Sequence, residues 1–268
     1  MKPALVVFIM IIFLVQFLSI HSITLKTRQN FQWGLKSKFN KSLFQSPINI
    51  IYNSSIITYV KPILMYHPVS TSSLYLDPQD NTVKLKAASF GKLVTINNMI
   101  FNAEEIQFHT PSEHLINNKQ YDMEMHIIHK GISNEDKDKY AVISFLFEKS
   151  PGEFNDFIDS LDYLNIGSSS KITVDLNLIL PQNFNYSFYT YQGSLTTPPY
   201  TYNAIHYVIE DIIPISNTCI EMFKSAIQNK SEFDYLKYVY VNKKLKTNNR
   251  QIQSLNNRKI YYYNHKNY

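Results

Sequence analysis

Short runs in which apolar and polar residues alternate recur along this chain, while helical periodicity is sparse. Val83–Leu85, Leu93–Ile96, Ile106–His109, Met123–Ile128, Val142–Phe147, Ile205–Ile209 and Tyr238–Val241 share this character. Successive strand residues point to opposite faces, so runs of this length and pattern predict strands. Turn-forming clusters such as Asp77-Pro78-Gln79-Asp80-Asn81 and Asn117-Asn118 separate them. Helical pattern is confined to Phe154–Tyr163 and to Thr218–Gln228, the second preceded by Ser216 and Asn217 as candidate caps. The 20 Tyr and 17 Phe against only 6 Gly favour β-rich packing over a flexible chain. With 268 residues the chain can fill one sizeable core or two small ones. No internal repeat or Pro/Gly/Ser linker divides it. A mainly β single domain with a few short helices follows, and the tail from Tyr261, above all 263–268, is expected to be loose.

Two of these runs carry spaced polar residues. Gln107-Phe108-His109 places residues 107 and 109 on one strand face, and Glu124-Met125-His126 repeats the geometry. Adjacent strands would aim four polar side chains at one point, with His129, Glu113 and His114 close by. A mononuclear catalytic zinc uses three protein ligands and keeps one position open. Only two of the three inner candidates are histidines. Spacing alone leaves a metal site and a set of packed, hydrogen-bonded strand histidines both open. Cys219 is the single cysteine, which removes an intrachain disulfide, a thiolate zinc cluster and a CxxC redox motif.

The N-terminus reads as a targeting segment. Lys2 precedes Ala4 to Ile20, apolar except for Gln16 and Ser19, and no further charge appears before Lys26. A secretory signal peptide over 1–22 is expected, so that the protein is secreted. An uncleaved membrane anchor is the alternative, because the run is nearly long enough to span a bilayer. Losing 1–22 removes only Lys2 and takes the formal charge from +5 to +4. Glycosylation sequons at Asn40, Asn53, Asn185 and Asn229 fit that route. Lysine and arginine thicken from Lys237 to Lys259, but Asn, Tyr and Ile are interleaved. That stretch reads as solvated surface, and no nucleic-acid partner is expected.

The chain resembles the α-class carbonic anhydrases. The resemblance rests on five blocks in order: Trp33-Gly34; Gln45-Ser46-Pro47-Ile48-Asn49-Ile50; the segment Phe101 to His129; Gly193-Ser194-Leu195-Thr196-Thr197-Pro198-Pro199; and Asn249-Arg250-Gln251-Ile252-Gln253-Ser254-Leu255-Asn256-Asn257-Arg258. It covers about residues 31–262. It implies a large, twisted, mostly antiparallel central sheet, a Zn2+ cofactor and interconversion of CO2 and bicarbonate. By the same resemblance His109 and His126 match the second and third zinc ligands, and Glu124 the acid that orients the third. Thr196 matches the threonine that accepts a hydrogen bond from the zinc-bound hydroxide, and Glu113 the glutamate that takes the threonine's proton. Tyr191, His114 and Arg250 match structural positions around the site. His129 matches a position outside the ligand set. Val142, Leu195, Ile128 and Thr197 match the substrate pocket.

The departures are specific. Gln107 stands where the family has its first ligand histidine. An alignment that instead deletes a Phe-His pair also leaves one ligand histidine missing. A carboxamide oxygen is a weaker zinc donor than imidazole. Glu105, two residues back on the same face, is expected to hold the Gln107 amide NH2 and turn its oxygen inward. His206 replaces a pocket tryptophan, either as a packed strand histidine or as a substitute ligand. Asn81 falls near the family's proton-shuttling histidine and cannot titrate near neutrality. The expectation is a secreted protein built on this zinc site, with weak or lost CO2 hydration. The alternative is an acatalytic recognition protein with an extracellular protein ligand.

Overall fold

The alternating runs that fall within the described residues become strands of one broad sheet. The structure, a computed structural model, describes residues 43–58, 62–65, 69–95, 98–166, 171–180, 185–227 and 247–267. The 1–22 segment, Trp33-Gly34, Asn40, Asn229 and the Tyr238–Val241 run lie outside the described residues. Seven strands organise the rest: β1 (Thr82–Val94), β2 (Ile100–His109), β3 (Met123–Gly131), β4 (Tyr140–Lys149), β5 (Phe188–Ser194), β6 (Tyr202–Ile209) and β7 (Tyr261–Tyr263). They lie in the order β7-β5-β6-β4-β3-β2-β1 within an 11-stranded sheet, with Ile56–Ile57 beyond β7 and Ile63–Met65 beyond β1. Neighbours are antiparallel except at β4–β6 and at two short outer pairings. The mostly antiparallel expectation is met.

Both faces of the sheet are covered, which is why β3 is buried along almost its whole length and β4 reads as a nearly continuous apolar run. On one face Phe108, Met125, Ile127, Ile143 and Phe145 join a large buried cluster that includes Phe223 and Ile220 of the helix α2 (Asn217–Ile227). The Phe108 and Phe223 rings sit 4.8 Å apart. Each such buried side chain contributes about 1.5–3 kcal/mol. On the other face Ile48 and Ile50 of the Gln45–Ile50 block meet Leu146, Tyr189, Tyr191 and Val208. Residues 107, 109, 124 and 126 share this second face by alternation.

Two expectations need correction. The 154–163 helix shrinks to four residues, α1 (Asp156–Asp159), capped by Asn155, whose side chain accepts the Ile158 N–H. Asp162, left-handed at φ 50°, breaks any continuation before a 3-10 turn at Tyr163–Asn165. The tail is not loose where described: β7 pairs with β5, and Tyr263 stacks on Phe188 at 5.1 Å. His265–Asn267 forms a further 3-10 turn, held where the His265 N–H donates to Ser187 Oγ. The 218–228 helix is observed as α2, with the Cys219 N–H donating to Ser216 Oγ. Among the described residues no helix is long and apolar enough to cross a membrane.

Candidate metal centre

The β2–β3 register builds the site. His126 pairs with Gln107 and Glu124 with His109. Directly opposed residues share a face, with Cβ atoms roughly 4.5–5.5 Å apart. His109 and His126 are diagonal neighbours in this register, and their rings lie 4.8 Å apart. All four side chains are buried.

Glu124 fixes the frame. Its Oε2 accepts the backbone N–H groups of Glu113 and His114, each at 2.8 Å. Its Oε1 meets His114 Nδ1 and His126 Nε2, each at 2.6 Å. Burial pushes the Glu124 pKa up, but the two imidazoles outweigh it and hold the carboxyl well below its usual range. An ionised carboxylate only accepts, so His126 Nε2 carries a hydrogen, and in a neutral ring Nδ1 would keep its lone pair. That Nδ1 lies 3.5 Å from Thr196 Oγ1 and 3.7 Å from Glu113 Oε2. The Tyr191 hydroxyl bridges His114 Nε2 at 2.6 Å and Ser46 Oγ at 2.9 Å.

His109 is held from the far side. Its Nδ1 faces the Asn248 carbonyl at 3.3 Å, while Nε2 has no partner among the described residues. Burial, then His126, pulls its pKa down to about 3, so the ring is neutral near pH 7. Glu113 Oε1 accepts the Arg250 backbone N–H at 2.7 Å. Burial, then the neighbouring Glu124, raises its pKa well above the usual range, with Thr196 and Arg250 pulling the other way. The Arg250 guanidinium donates to Ser46 O at 2.7 Å and lies over the Tyr200 ring.

Gln107 behaves as its neighbour dictates. Its Nε2 donates to Glu105 Oε1 and lies 3.5 Å from Thr197 Oγ1, leaving Oε1 buried without a partner. Glu105 is itself ion-paired to Lys84 at 3.5 Å and Lys86 at 3.0 Å. Lys84 also pairs with Asp77 and Asp80. Burial opposes the charge on Lys84, but these carboxylates outweigh it and raise its pKa. Three buried atoms of this cluster, His109 Nε2, Gln107 Oε1 and Glu113 Oε2, lack hydrogen-bond partners among the described residues. Each such orphan costs about 1–3 kcal/mol, which a cation would offset. The donor set fits a zinc ion in type, with two imidazoles and oxygen donors.

A cavity of about 750 Å³ opens beside Gln107, with Ile128, Leu195 and Thr197 on its wall. Val142 and His206, expected there, lie behind the wall instead. The two are paired in register and fully enclosed. The His206 ring stacks on Tyr191 at 4.9 Å, and Nε2 donates to Ser194 O at 2.8 Å. Asn81 sits in the left-handed turn between Asp80 and Thr82, at φ 58°. His129 is buried outside the cluster, with Nδ1 facing the Ile127 and Ala141 carbonyls. Sequence reasoning missed Lys84, Lys86 and Asn248. The two lysines were visible in the 83–86 alternation, and they stand in register with Gln107 and Glu105. The signal for Asn248 was its place directly before the Asn249–Arg258 block.

Comparison with known proteins matches residues 28–264 to the model of the eukaryotic-type carbonic anhydrase family. Alpha carbonic anhydrase 8 of Arabidopsis thaliana is 29% identical over 82% of this chain, which spans about half (53%) of that relative's length. Dioscorin DB3L of Dioscorea polystachya is 27% identical over 82% of the chain and 75% of its own length. Among solved structures, the α-carbonic anhydrase of Thermovibrio ammonificans with the inhibitor sulfanilamide superposes with a TM-score of 0.64. It is 24% identical, covering 85% of this chain and 93% of that one, and bears out the fold.

Proposed function

Because this chain belongs to the eukaryotic-type carbonic anhydrase family, we propose that it is a secreted zinc protein built for reversible hydration of CO2 to bicarbonate, with weakened metal binding and low turnover. The observation that carries this reading is the convergence of unpartnered His109 Nε2 and Gln107 Oε1 on the face that also presents His126. His109 and His126 would hold the metal, and Gln107 would offer a weak oxygen donor. Zinc, when bound, activates water for attack at neutral pH. Glu124 locks the His126 ring so that its free nitrogen faces the centre. Thr196, beside both His126 and Glu113, orients the attacking oxygen. Leu195 and Ile128 offer CO2 an apolar wall. The low turnover follows from Gln107, because zinc favours imidazole, thiolate and carboxylate over a carboxamide.

A second reading, an acatalytic recognition protein with an extracellular protein ligand, is favoured by Gln107 and His206 departing together; a relative named dioscorin accompanies it. Zinc per chain, measured with stopped-flow CO2 hydration, separates them. The first reading expects zinc loss in His109→Ala and measurable hydration at saturating zinc. Zinc binding indifferent to His109→Ala would refute it. Zinc binding without any hydration would favour the second.

A further inference from the structure

Glu113 is placed to do more than accept a proton from Thr196. Its Oε2 is buried, has no hydrogen-bond partner among the described residues, and lies 3.7 Å from His126 Nδ1. Donor atoms of Glu113, His109 and His126 all lie within 4.8 Å of one another. Donors at tetrahedral angles on a zinc ion with ~2.0–2.2 Å bonds stand roughly 3.3–3.6 Å apart. The Glu113–His126 separation is already close to that, so a small swing of one carboxylate would complete the set. The neighbouring group His114, Glu124 and His126 also clusters. There the Glu124 oxygens are engaged by four hydrogen-bond contacts, and no lone pair is left facing an open centre.

Resting on the reading that His109 and His126 hold zinc, we infer that Glu113 supplies the third strong ligand, giving a two-histidine, one-carboxylate centre. Two histidines with a glutamate are a donor set that zinc enzymes use, whereas a carboxamide is not an ordinary one. A buried carboxylate oxygen without a partner is costly, and a divalent cation offsets that cost directly. The segment that delivers Glu113 is rigid, because Glu124 clamps the N–H groups of residues 113 and 114. Gln107 is then a neutral neighbour, its amide tied to Glu105. The arrangement carries a functional penalty. A carboxylate engaged by the metal no longer orients Thr196, and its negative charge weakens the metal as a Lewis acid.

The test is zinc affinity by chelator competition in Glu113→Gln, made in the native protein and in Gln107→His. The native background loses about 10–100-fold or more in affinity, the range set by weaker perturbations around metal ligands. The Gln107→His background, with a histidine restored, loses less than about 3-fold. Equal loss in both backgrounds, or none in the native one, overturns the inference. If Glu113→Gln fails to fold, judged by its circular dichroism melt, Glu113→Asp retracts the carboxylate while keeping its charge and is held to the same pattern. His109→Ala separates the two layers. If it abolishes zinc binding while Glu113→Gln does not, only this inference fails; if neither matters, the parent reading fails too.

Discussion

Replacing Gln107 with histidine is the sharpest perturbation this site allows. Gln107 is 2% exposed and stands opposite His126, so a new imidazole would enter a dry position already on the ligand face. Glu105, which now accepts the amide N–H, remains to accept a ring N–H and orient the other nitrogen inward. Like His109, a ring there would be neutral near pH 7 and free to bind metal without first shedding a proton. Perturbing even the partners of metal ligands costs about 10–100-fold in affinity, so restoring a ligand gains at least ~1.4–2.7 kcal/mol. Chelator competition is expected to show zinc held at least 10-fold more tightly. Stopped-flow CO2 hydration is expected to rise with it, as Glu113 is released to orient Thr196. The reasoning is refuted if the histidine protein folds and neither quantity moves, because then residue 107 does not face the centre.

Three further outcomes follow from the same geometry. Lys84→Met strands Asp77 and Asp80 beside a vanished cation, and urea unfolding is expected to show a loss of about 3 kcal/mol; an unchanged midpoint would mean the cluster is solvated. Gly193→Ala puts a methyl 2.0 Å from Ser46 Oγ and 3.0 Å from Tyr191 Cε2, so thermal melts are expected to show about 1–3 kcal/mol of destabilisation, and a neutral result would deny that contact. Metal-free protein is expected to lose stability as pH falls from about 6.5 towards 4. There the unfolded chain protonates histidines that burial keeps neutral in the fold: His109 (about 3), His129 (about 4) and His206, also lowered. Each contributes up to about 1.4 kcal/mol per pH unit. Glu113, its pKa raised by burial, acts in the opposite sense, because the fold keeps its proton where the unfolded chain releases it. A flat stability profile between pH 6.5 and 4.5 would contradict the burial of these rings.

The site's inner geometry was legible because alternation and register are local. Gln107 and His109 share a face by period two, and a second strand with Glu124 and His126 needs only antiparallel pairing to meet them. The Gln45–Ile50 and Gly193–Pro199 blocks were legible as motifs, and they meet where the Ser46 N–H donates to Ser194 Oγ. The supports brought by distant chain were not legible. Asn248 reaches His109 across 139 residues of sequence, and no spacing rule marks such a contact. The Tyr-rich end looked loose because three tyrosines before a polar tail carry no alternation. Their order comes from β5, whose Phe188 gives Tyr263 a stacking partner. The 154–163 pattern failed as a helix because periodicity says nothing about the left-handed backbone at Asp162. His206, matched by resemblance to a pocket tryptophan, is the packed strand histidine of the two readings, its ring stacked on Tyr191.

The four contacts gathered by Glu124 bear on how such a protein matures. The orientation of His114 and His126 is set by the Glu124 carboxylate, so the proposed ligand face is assembled by the fold itself. Many small zinc proteins cannot fold without their ion. Here the contacts to Glu124 hold His114 and His126 without an ion, so the chain is expected to fold metal-free, and a weakly held ion would add little to stability at low supply. Yield is then expected to be indifferent to zinc in the growth medium, which expression with and without added zinc checks.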